Sequence, residues 1–404
     1  MIDKAMAFGV IGIVALLVGA GSFAYTSSVV GGLASQDQID ELKSSIAKST
    51  SDIDSLRSQI TSGETRLAEA EGVLEAAKAE AAFIAAAKAE AQDGDLIIYG
   101  SMDAPDMIKI MWPSFKAKYP FVGEVAYIEG FGSLMKRFQE EAQRGARTAD
   151  VRIDGSERAF LDMALGLPGE LETNSDELYE PGQIIQNKLR NGYLIPGAIF
   201  YNTDLVSAAD APKSWAALGD PEWKGKILFA DPRLGTEGIE AWAHLVEGLG
   251  EDKAKELAKG IFIDNEAVPA DTYGTTAYNK ILSGEFAISA GLINDVVQQP
   301  AGAPVGYSVP EEGVTVTTSW VYTFKDTPKP NLAKLFITWY LSPEGQTQIA
   351  ITGRTPSLAT LQGPGTLQDQ VPGAKLMLIP ESYFFDPDSW RVKLIDLFKE
   401  AGLP

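Results

Sequence analysis

The sequence contains no cysteine and only one histidine in 404 residues. Without cysteine the chain has no disulfides, no thiolate metal sites and no cysteine nucleophile. The histidine, His244, lies in "GIEAWAHLVEGLG", a pattern typical of an amphipathic helix. A single histidine also leaves no zinc site of the usual kind, and no Ser-His-Asp triad elsewhere in the chain. The composition therefore argues against most hydrolases.

Positive charge is scarce as well, because 34 Lys and Arg residues stand against 55 Asp and Glu, for a formal net charge of −21. A field of that sign repels nucleic acid and anionic lipid surfaces. Neither is expected to be a partner of the soluble part of the chain. The charge favours solubility but does not identify a ligand.

Charge is missing altogether from Ala5 to Tyr25. At a rise of about 1.5 Å per residue, this stretch is long enough to cross a hydrocarbon core of about 30 Å. Lys4 precedes it and the next basic residue is Lys43, so the positive-inside rule places the rest of the chain outside the cytoplasm. We expect residues 1–35 to form a retained single-pass anchor in the cell membrane. A cleaved secretory signal and an archaeal pilin-type signal are the alternatives.

Apolar residues recur every seven positions over residues 36–93, as in a coiled coil. The a positions hold Ile39, Ile46, Ile53, Ile60, Leu67, Leu74 and Ala81. The d positions are poorer in large side chains and hold Leu42, Ser49, Leu56, Gly63, Ala70, Ala77 and Ile84. The pattern predicts a coiled-coil stalk, and with it a homo-oligomer, that ends near Gly94. One long solvated helix is the alternative.

Short apolar runs alternate with amphipathic stretches of 10–15 residues over residues 95–404. This alternation predicts parallel βαβ units and an α/β body. In open α/β sheets, ligands bind beyond the carboxyl ends of the strands, next to helix N-termini. The loops that come after the predicted strands are therefore the places to look for a site.

Small polar residues and glycines occupy those loops. A glycine or hydroxyl residue at a helix start lets backbone N–H groups approach a polar or anionic group, although serine and threonine there more often cap the helix. No dinucleotide fingerprint, P-loop or calcium loop is present, so no metal or cofactor is expected. The candidate ligand contacts are Ser101, Met102, Asp103, Gly132, Ser133, Gly155, Ser156, Thr236, Thr272, Tyr273, Asn294 and Asp295.

The body resembles the extracytoplasmic solute-binding proteins of ABC importers, in the group that contains the ferric-iron, phosphonate, thiamine and polyamine binders. The resemblance covers residues 95–404, about three quarters of the chain. It rests on stretches in the expected order, of which the run containing "PEWKGKI" and the last one are the most specific. These stretches are "DLIIYGSMD", "MKRFQEEAQRGARTADV", "IFYNTDLV", "PKSWAALGDPEWKGKILFADPR", "GEFAISAGLIND", "GAPVGYSVPEEG" and "PNLAKLFITWYLSPEGQ".

The resemblance implies a type II periplasmic-binding-protein fold, with two α/β lobes that close on a solute. The first lobe would hold about 95–198 and 300–350, and the second about 199–299 and 351–404. A receptor of this kind is not an enzyme, and it delivers a small solute to an ABC transporter permease.

The resemblance also bears on iron. The family's ferric ligands, a histidine, a glutamate and two tyrosines, correspond here to Asp103, Gly155, Val296 and Val297. Three of these four residues cannot ligate Fe(III), so an iron site built on tyrosine is not expected. Hydroxyls, amides and the carboxylates Asp103, Asp154 or Asp295 remain for a small polar solute.

Helix N-termini favour an anion such as a phosphonate or carboxylate, whereas clustered carboxylates favour an amine, and the sequence leans slightly to the anion. The alternatives are a structural or assembly surface protein without transport function and an Fe(III) binder with a non-tyrosine site. A glycosidase would need two convergent carboxylates, which the sequence does not show.

Overall fold

The computed structural model describes residues 35–100, 105–129, 137, 140–141, 144, 149–180, 182–271 and 275–404. The chain divides into two compact units, Met1–Glu80 and Ala81–Pro404. A single helix, α1 (Gln36–Glu90), contributes residues to both units. It is followed by a 3₁₀ turn, Ala91–Asp93, and ends at Gly94, whose φ of +111° suits glycine. The predicted end of the helix is thus confirmed.

In the first unit, the described part of α1 leaves its apolar seam uncovered. Leu42 is 64% exposed and Ile46 is 59% exposed, and both occupy predicted heptad positions. Surface ion pairs such as Lys78–Glu75 (2.8 Å) support the helix itself. The helix is therefore present, and the coiled coil remains a prediction.

The predicted anchor, Ala5–Tyr25, lies outside the described residues. Among the residues that the structure does describe, none forms a helix with both the length and the apolarity needed to cross a membrane.

The second unit alternates strands and helices, as the sequence predicts. The predicted helix around "SLMKRFQEEAQRG" falls mostly outside the described residues. The described strands of this unit are β1 (Leu96–Gly100), β2 (Val125–Glu129), β3 (Val151–Gly155), β4 (Ile184–Ile185), β5 (Leu189–Asn202), β6 (Leu228–Ala230), β7 (Val268–Ala270), β8 (Ile288–Leu292), β9 (Val305–Ser308), β10 (Val314–Thr323), β11 (Thr355–Pro356) and β12 (Leu376–Leu378). The described helices are α2 (Pro105–Lys118), α3 (Ser156–Ala164), α4 (Thr236–Leu249), α5 (Glu251–Lys259), α6 (Thr275–Leu282), α7 (Ile293–Val297), α8 (Pro330–Leu341), α9 (Pro343–Ile351), α10 (Leu367–Gln370), α11 (Glu381–Phe385) and α12 (Pro387–Glu400).

The main sheet is mixed, whereas the alternation in the sequence predicts parallel units. Strand β1 pairs in parallel with β2 and β3, but β10 runs antiparallel to both β3 and β5. Strands β8 and β9 also pair antiparallel with β5. The two long strands β5 and β10 return between lobes rather than completing a βαβ unit, and this accounts for the difference.

Two large apolar cores define two lobes. The first core contains Phe115 and Phe336, whose rings meet edge-on with centroids 5.4 Å apart. The second contains Trp242 and Phe398, with centroids 4.8 Å apart and planes at 87°. Edge-to-face geometry is favourable for such rings, in addition to the area they bury. We call the elements packed on these cores the first and second lobes.

Strands β5 and β10 connect the lobes. Tyr193 of β5 belongs to the first core and Tyr201, farther along the same strand, to the second. Strand β10 places Val321 in the first core, while its opening residues pair with β12, which supplies Met377 to the second core. All 14 residues of β5 are buried. The body therefore has the two-lobed α/β architecture that the resemblance implies.

Two stretches depart from the predicted lobe limits. Strand β9 pairs with the second-lobe end of β5, so the chain returns to the first lobe within β10 and not at residue 300. Leu358 belongs to the first core, although the resemblance places residues 351–404 in the second lobe. Both differences result from strand pairing across the crossing region.

Candidate functional site

A cavity of about 200 Å³ lies where the two lobes and the crossing strand β10 meet. The first lobe lines it with Ser156 and Phe160 of α3, and the second lobe with Glu240 of α4. Strand β10 contributes residues from Val316 to Trp320, and Phe384 of α11 closes another side. We call this space the interlobe cavity. Its walls are mainly apolar and carry a few polar groups, as in small-molecule sites.

Ser156 opens helix α3 directly after β3, and the preceding residue, Gly155, is the extended N-cap position of the helix. The Ser156 hydroxyl shares a 2.8 Å hydrogen bond with the Thr318 hydroxyl and accepts one from Trp320 Nε1 at 3.0 Å. These contacts hold Ser156 against β10. Its hydroxyl is already satisfied and therefore serves first to fix the wall of the cavity.

Glu240 lies one turn after the start of α4 and is partly buried beside the cavity. Burial, followed by the nearby charges of Glu157 and Glu237, raises the Glu240 pKa to about 7, and a hydrogen bond with Thr317 acts against that rise. Among the described residues it takes part in no ion pair. A carboxylate in this position gains strongly from a positively charged ligand.

Helix α4 begins close to the loop that follows β6. A Cβ at Gly238 would collide with the carbonyl of Asp231, so glycine is required for this approach. Asp231 itself is buried and accepts a 2.6 Å hydrogen bond from Arg233 Nη2. The packing explains why "DPRLGTEG" brings Glu240 towards the cavity.

Asn191 of β5 lines the cavity from the crossing region and is only 3% exposed. Its side-chain Oδ1 has no hydrogen-bond partner among the described residues. An acceptor left in this state costs free energy, about 1–3 kcal/mol, until a donor reaches it. Asn191 thus marks a place where a ligand donor would be stabilised.

The Asp154 carboxylate, which the sequence offers as a ligand group, is committed to the fold. Asp154 and Arg152 are fully buried, and Arg152 Nη2 donates to Asp154 at 2.7 Å. Arg152 Nη1 donates to Asp162 at 2.8 Å, and the Tyr322 hydroxyl donates to the same Asp162 oxygen at 2.7 Å. The suggestion that Asp154 contacts the solute is therefore replaced by a structural role.

His244 lies one turn beyond Glu240 on α4 and is buried. Its Nδ1 lies 2.8 Å from the Met377 carbonyl, which can only accept, so Nδ1 carries a proton. Burial lowers the His244 pKa to about 4, against a smaller opposite effect of that hydrogen bond. The histidine is thus part of the second lobe's interior, as its position on an amphipathic helix suggests.

Asn294 and Asp295 lie in the short helix α7 and not in the strand end that the sequence suggests. Asn294 is buried, and its Nδ2 donates to Asp295 Oδ1 at 3.3 Å. Burial raises the Asp295 pKa, and the charge of Arg354 partly offsets this. Neither residue lines the interlobe cavity.

The structure brings together only part of the predicted site. Ser156 lines the cavity, Gly155 precedes it as the N-cap of α3, and Thr236 opens α4, the helix that bears Glu240. The remaining predicted contacts, other than Asn294 and Asp295, lie outside the described residues: Ser101, Met102, Asp103, Gly132, Ser133, Thr272 and Tyr273.

Three residues of the cavity lining were not predicted from the sequence: Asn191, Glu240 and Thr317. Glu240 follows Thr236 by four positions in a predicted helix, so both lie on one helix face. That spacing could have identified it. Asn191 and Thr317 gave no such signal, because they come from the long crossing strands.

The model of the family described as "Bacterial extracellular solute-binding protein" matches residues 114–372. The match covers more than half of the chain, which therefore belongs to this family. The resemblance predicted from the sequence is confirmed. The family description is that of an extracellular binding protein and not of an enzyme, so the body is an extracytoplasmic solute-binding domain.

A Haemophilus influenzae protein of uncharacterized function is 30% identical to the chain over 195 residues. The alignment covers 48% of this chain and 51% of that protein, so the chain spans about half the length of the curated relative it matches.

Similar solved structures include iron-bound HitA from Pseudomonas aeruginosa, with a TM-score of 0.56, 22% identity and coverage of 76% of this chain and 99% of that one. AfuA from Actinobacillus pleuropneumoniae, with fructose-6-phosphate bound, has a TM-score of 0.57, 24% identity and coverage of 76% and 99%. The Trichodesmium protein IdiA (FutA), in complex with iron and citrate, has a TM-score of 0.61, 20% identity and coverage of 77% and 100%. Such low identities establish the fold and no ligand.

Proposed function

We propose that the chain is a membrane-tethered extracytoplasmic receptor that captures a small polar solute between its two lobes. One observation carries this proposal: the interlobe cavity takes its lining from both lobes and from the strand that connects them. A solute held there would contact both lobes at once, and its binding would favour their closed arrangement.

The receptor would deliver its solute to an ABC importer. The uncharged segment Ala5–Tyr25 would anchor it in the cell membrane, and the heptads of residues 36–93 would assemble it into a homo-oligomer. The exposed seam residues of α1 support the assembly, because a partner helix would cover them. Tethering would also raise the receptor's effective concentration at the permease.

Two features of the site favour opposite charges on the solute. Helix N-termini at α3 and α4 favour the anion towards which the sequence leans. Glu157 and Glu237 occupy the first turns of those same helices and oppose it. Fe(III) has no support from the described part of the chain, because no group of three or more acidic or histidine side chains there is placed to hold a metal ion.

Native mass spectrometry of the full chain, purified in detergent from its own host, tests the proposed function. A single co-purified small molecule that raises the melting temperature when it is added back is the expected result. A panel of phosphonates, phosphate, polyamines, thiamine and Fe(III) would then assign its class. If no bound mass is found and no member of the panel raises the melting temperature, the receptor function is contradicted.

Asn294 and Asp295 remain proposed solute contacts of the second lobe, as the sequence predicts, although neither lines the interlobe cavity in this arrangement of the lobes. Substitution of Asn294→Ala should weaken binding without loss of the folded state, because its Oδ1 has no partner among the described residues. Gln298→Ala, exposed at the end of the same helix, is the matched control. Unchanged affinity in both Asn294→Ala and Asp295→Asn would remove the pair from the site.

The stalk has its own test. The double substitution Leu56→Lys and Ile60→Lys should convert an oligomer to a monomer in analytical ultracentrifugation, because both residues occupy the seam and are 56% and 53% exposed. Ser58→Lys with Ser62→Lys, both off the seam, should leave the oligomer unchanged. A wild-type chain that sediments as a monomer would contradict the coiled coil.

A further inference from the structure

The interlobe cavity is acidic and has no basic residue in its described lining. Glu240 and Glu381 line it, and Glu157 and Glu237 act on Glu240 from the first turns of α3 and α4. Ion pairs elsewhere in the described body use up other carboxylates, such as Asp154 with Arg152. Glu240 has no such partner there. A cationic ligand would therefore offset the negative charge of the cavity lining.

A second, independent group points to the same kind of ligand. Asn191, on a different element from the glutamates, lines the cavity, and its buried side-chain oxygen has no hydrogen-bond partner among the described residues. Ser156 and Thr318 already satisfy each other across the cavity rim. What remains is the Glu240 carboxylate, which has the Thr317 hydroxyl but no described cation beside it, and the Asn191 amide oxygen, and both can accept from a ligand donor.

The other walls define the body of the ligand. Phe160 and Trp320 meet edge-on with centroids 5.8 Å apart, and Phe384 stacks on Phe160 with centroids 4.5 Å apart. All three line the cavity, and aromatic faces attract cations as well as hydrocarbon. The volume, about 200 Å³, is below that of drug-sized sites, so the ligand is small.

We propose that Glu240 is the specificity-determining residue of the interlobe cavity and selects a small organic solute that carries a protonated primary amine on an apolar body. The inference rests on the proposed function. The ammonium group of such a solute supplies the positive charge that has no counterpart beside Glu240, and it supplies an N–H donor for Asn191 Oδ1. A quaternary ammonium has no such donor, and a phosphonate or carboxylate would face Glu157, Glu237 and Glu240 together.

Isothermal titration calorimetry on the full chain at pH 8, where Glu240 is ionised, tests this choice. The probes form three matched series: primary ammonium compounds, their alcohols and their carboxylates, for example 2-phenylethylammonium, 2-phenylethanol and phenylacetate, with the butyl set beside them. Methylphosphonate and inorganic phosphate represent other anions. We expect at least one ammonium compound to bind at least tenfold more tightly than its alcohol and its carboxylate.

Variants then assign the preference to Glu240. Glu240→Gln should weaken the ammonium compound at least tenfold, equivalent to about 1.4 kcal/mol, and leave its alcohol unchanged. Glu247→Gln is the matched control, because Glu247 lies on the same helix but is exposed. Circular dichroism establishes that each variant folds, and Glu240→Ala, which also removes the charge, replaces the glutamine variant if the latter does not.

Two results overturn the inference. If a carboxylate or phosphonate binds more tightly than its ammonium counterpart, the cavity is an anion site and the solute receptor itself still stands. If no ammonium compound binds more tightly than its alcohol, or if Glu240→Gln and Glu247→Gln behave alike, Glu240 does not determine specificity. The proposed function is decided separately, by the solute that co-purifies from the host.

Discussion

Two carboxylates near the interlobe cavity, one in each lobe, differ in what surrounds them. Asp154 of the first lobe is fully buried and accepts from Arg152 at 2.7 Å. Glu240 of the second lobe lines the cavity and takes part in no described ion pair. Burial raises the Glu240 pKa to about 7, whereas Asp154 receives two hydrogen bonds from the Arg152 guanidinium.

This difference separates a structural carboxylate from a binding one. The chain has 55 acidic residues, so the presence of a carboxylate near a cavity says little by itself. A buried ion pair is costly to break from one side, whereas a buried carboxylate without a cation beside it gains free energy when a cationic ligand arrives. The neighbouring His244 is structural by the same reasoning, because it is buried and its Nδ1 donates to the Met377 carbonyl.

The largest effect is expected from Arg152→Met, which removes the buried guanidinium that donates to both Asp154 and Asp162. Breaking a buried pair from one side costs about 3–5 kcal/mol, and we expect that loss in the free energy of unfolding by urea. Arg158→Met is the control, since Arg158 lies 3.8 Å from Asp154 with a side chain 20% exposed and should cost about 1 kcal/mol or less. Equal losses in both variants would contradict the division between the two carboxylates.

Glu240→Gln should remove a contribution to stability that falls as pH rises, whereas the contribution of a carboxylate paired with a cation rises with pH. The folded-state Glu240 pKa of about 7 lies above its ordinary value of 4.5, so the unfolded state releases its proton first. Between these values the Glu240 contribution to the unfolding free energy falls as pH rises, by up to about 3 kcal/mol. The variant should therefore gain relative to wild type between pH 4 and pH 8. A difference that does not vary with pH would show that Glu240 ionises normally.

His244→Asn tests a contribution to the unfolding free energy that has the opposite pH dependence, at a residue one turn beyond Glu240 on the same helix. The folded-state His244 pKa of about 4 lies below its ordinary value of 6.5, so the unfolded state takes up the proton first as pH falls. Wild type then loses up to about 3 kcal/mol between pH 6.5 and pH 4, and the variant should not. Asparagine keeps a donor for the Met377 carbonyl. Parallel pH curves for variant and wild type would contradict a buried neutral histidine.

The smallest effect is expected from Thr317→Val, which removes the hydroxyl that bonds to Glu240. That hydrogen bond lowers the Glu240 pKa, so its loss should move the inflection of the stability curve to higher pH, by a shift worth about 1 kcal/mol. Thr315→Val on the same strand is the control, because Thr315 does not line the interlobe cavity. An inflection that stays in place would exclude the Thr317 contact.

Much of the fold was predictable from local pattern. Apolar periodicity predicted helix α4 between Thr236 and Leu249, and Gly94 marked the end of α1. Periodicity reports which face of an element is buried, and that depends on neighbours a few positions away. The antiparallel crossing strands were not predictable in this way, because strand direction is set by connections that span the whole body.

The amino-acid sequence alone was enough for the exclusions and the family: with no cysteine and one histidine, cysteine and triad chemistry were excluded, and the ordered stretches of residues 95–404 identified a solute-binding protein. Which acidic residues are paired became visible only in the folded chain. Asp154 stands two positions from Arg152 along the chain, but Asn191, Glu240 and Thr317 come from three separate elements that meet at one cavity. Charge pairing and hydrogen-bond satisfaction depend on such long-range contacts, so no local pattern could assign them.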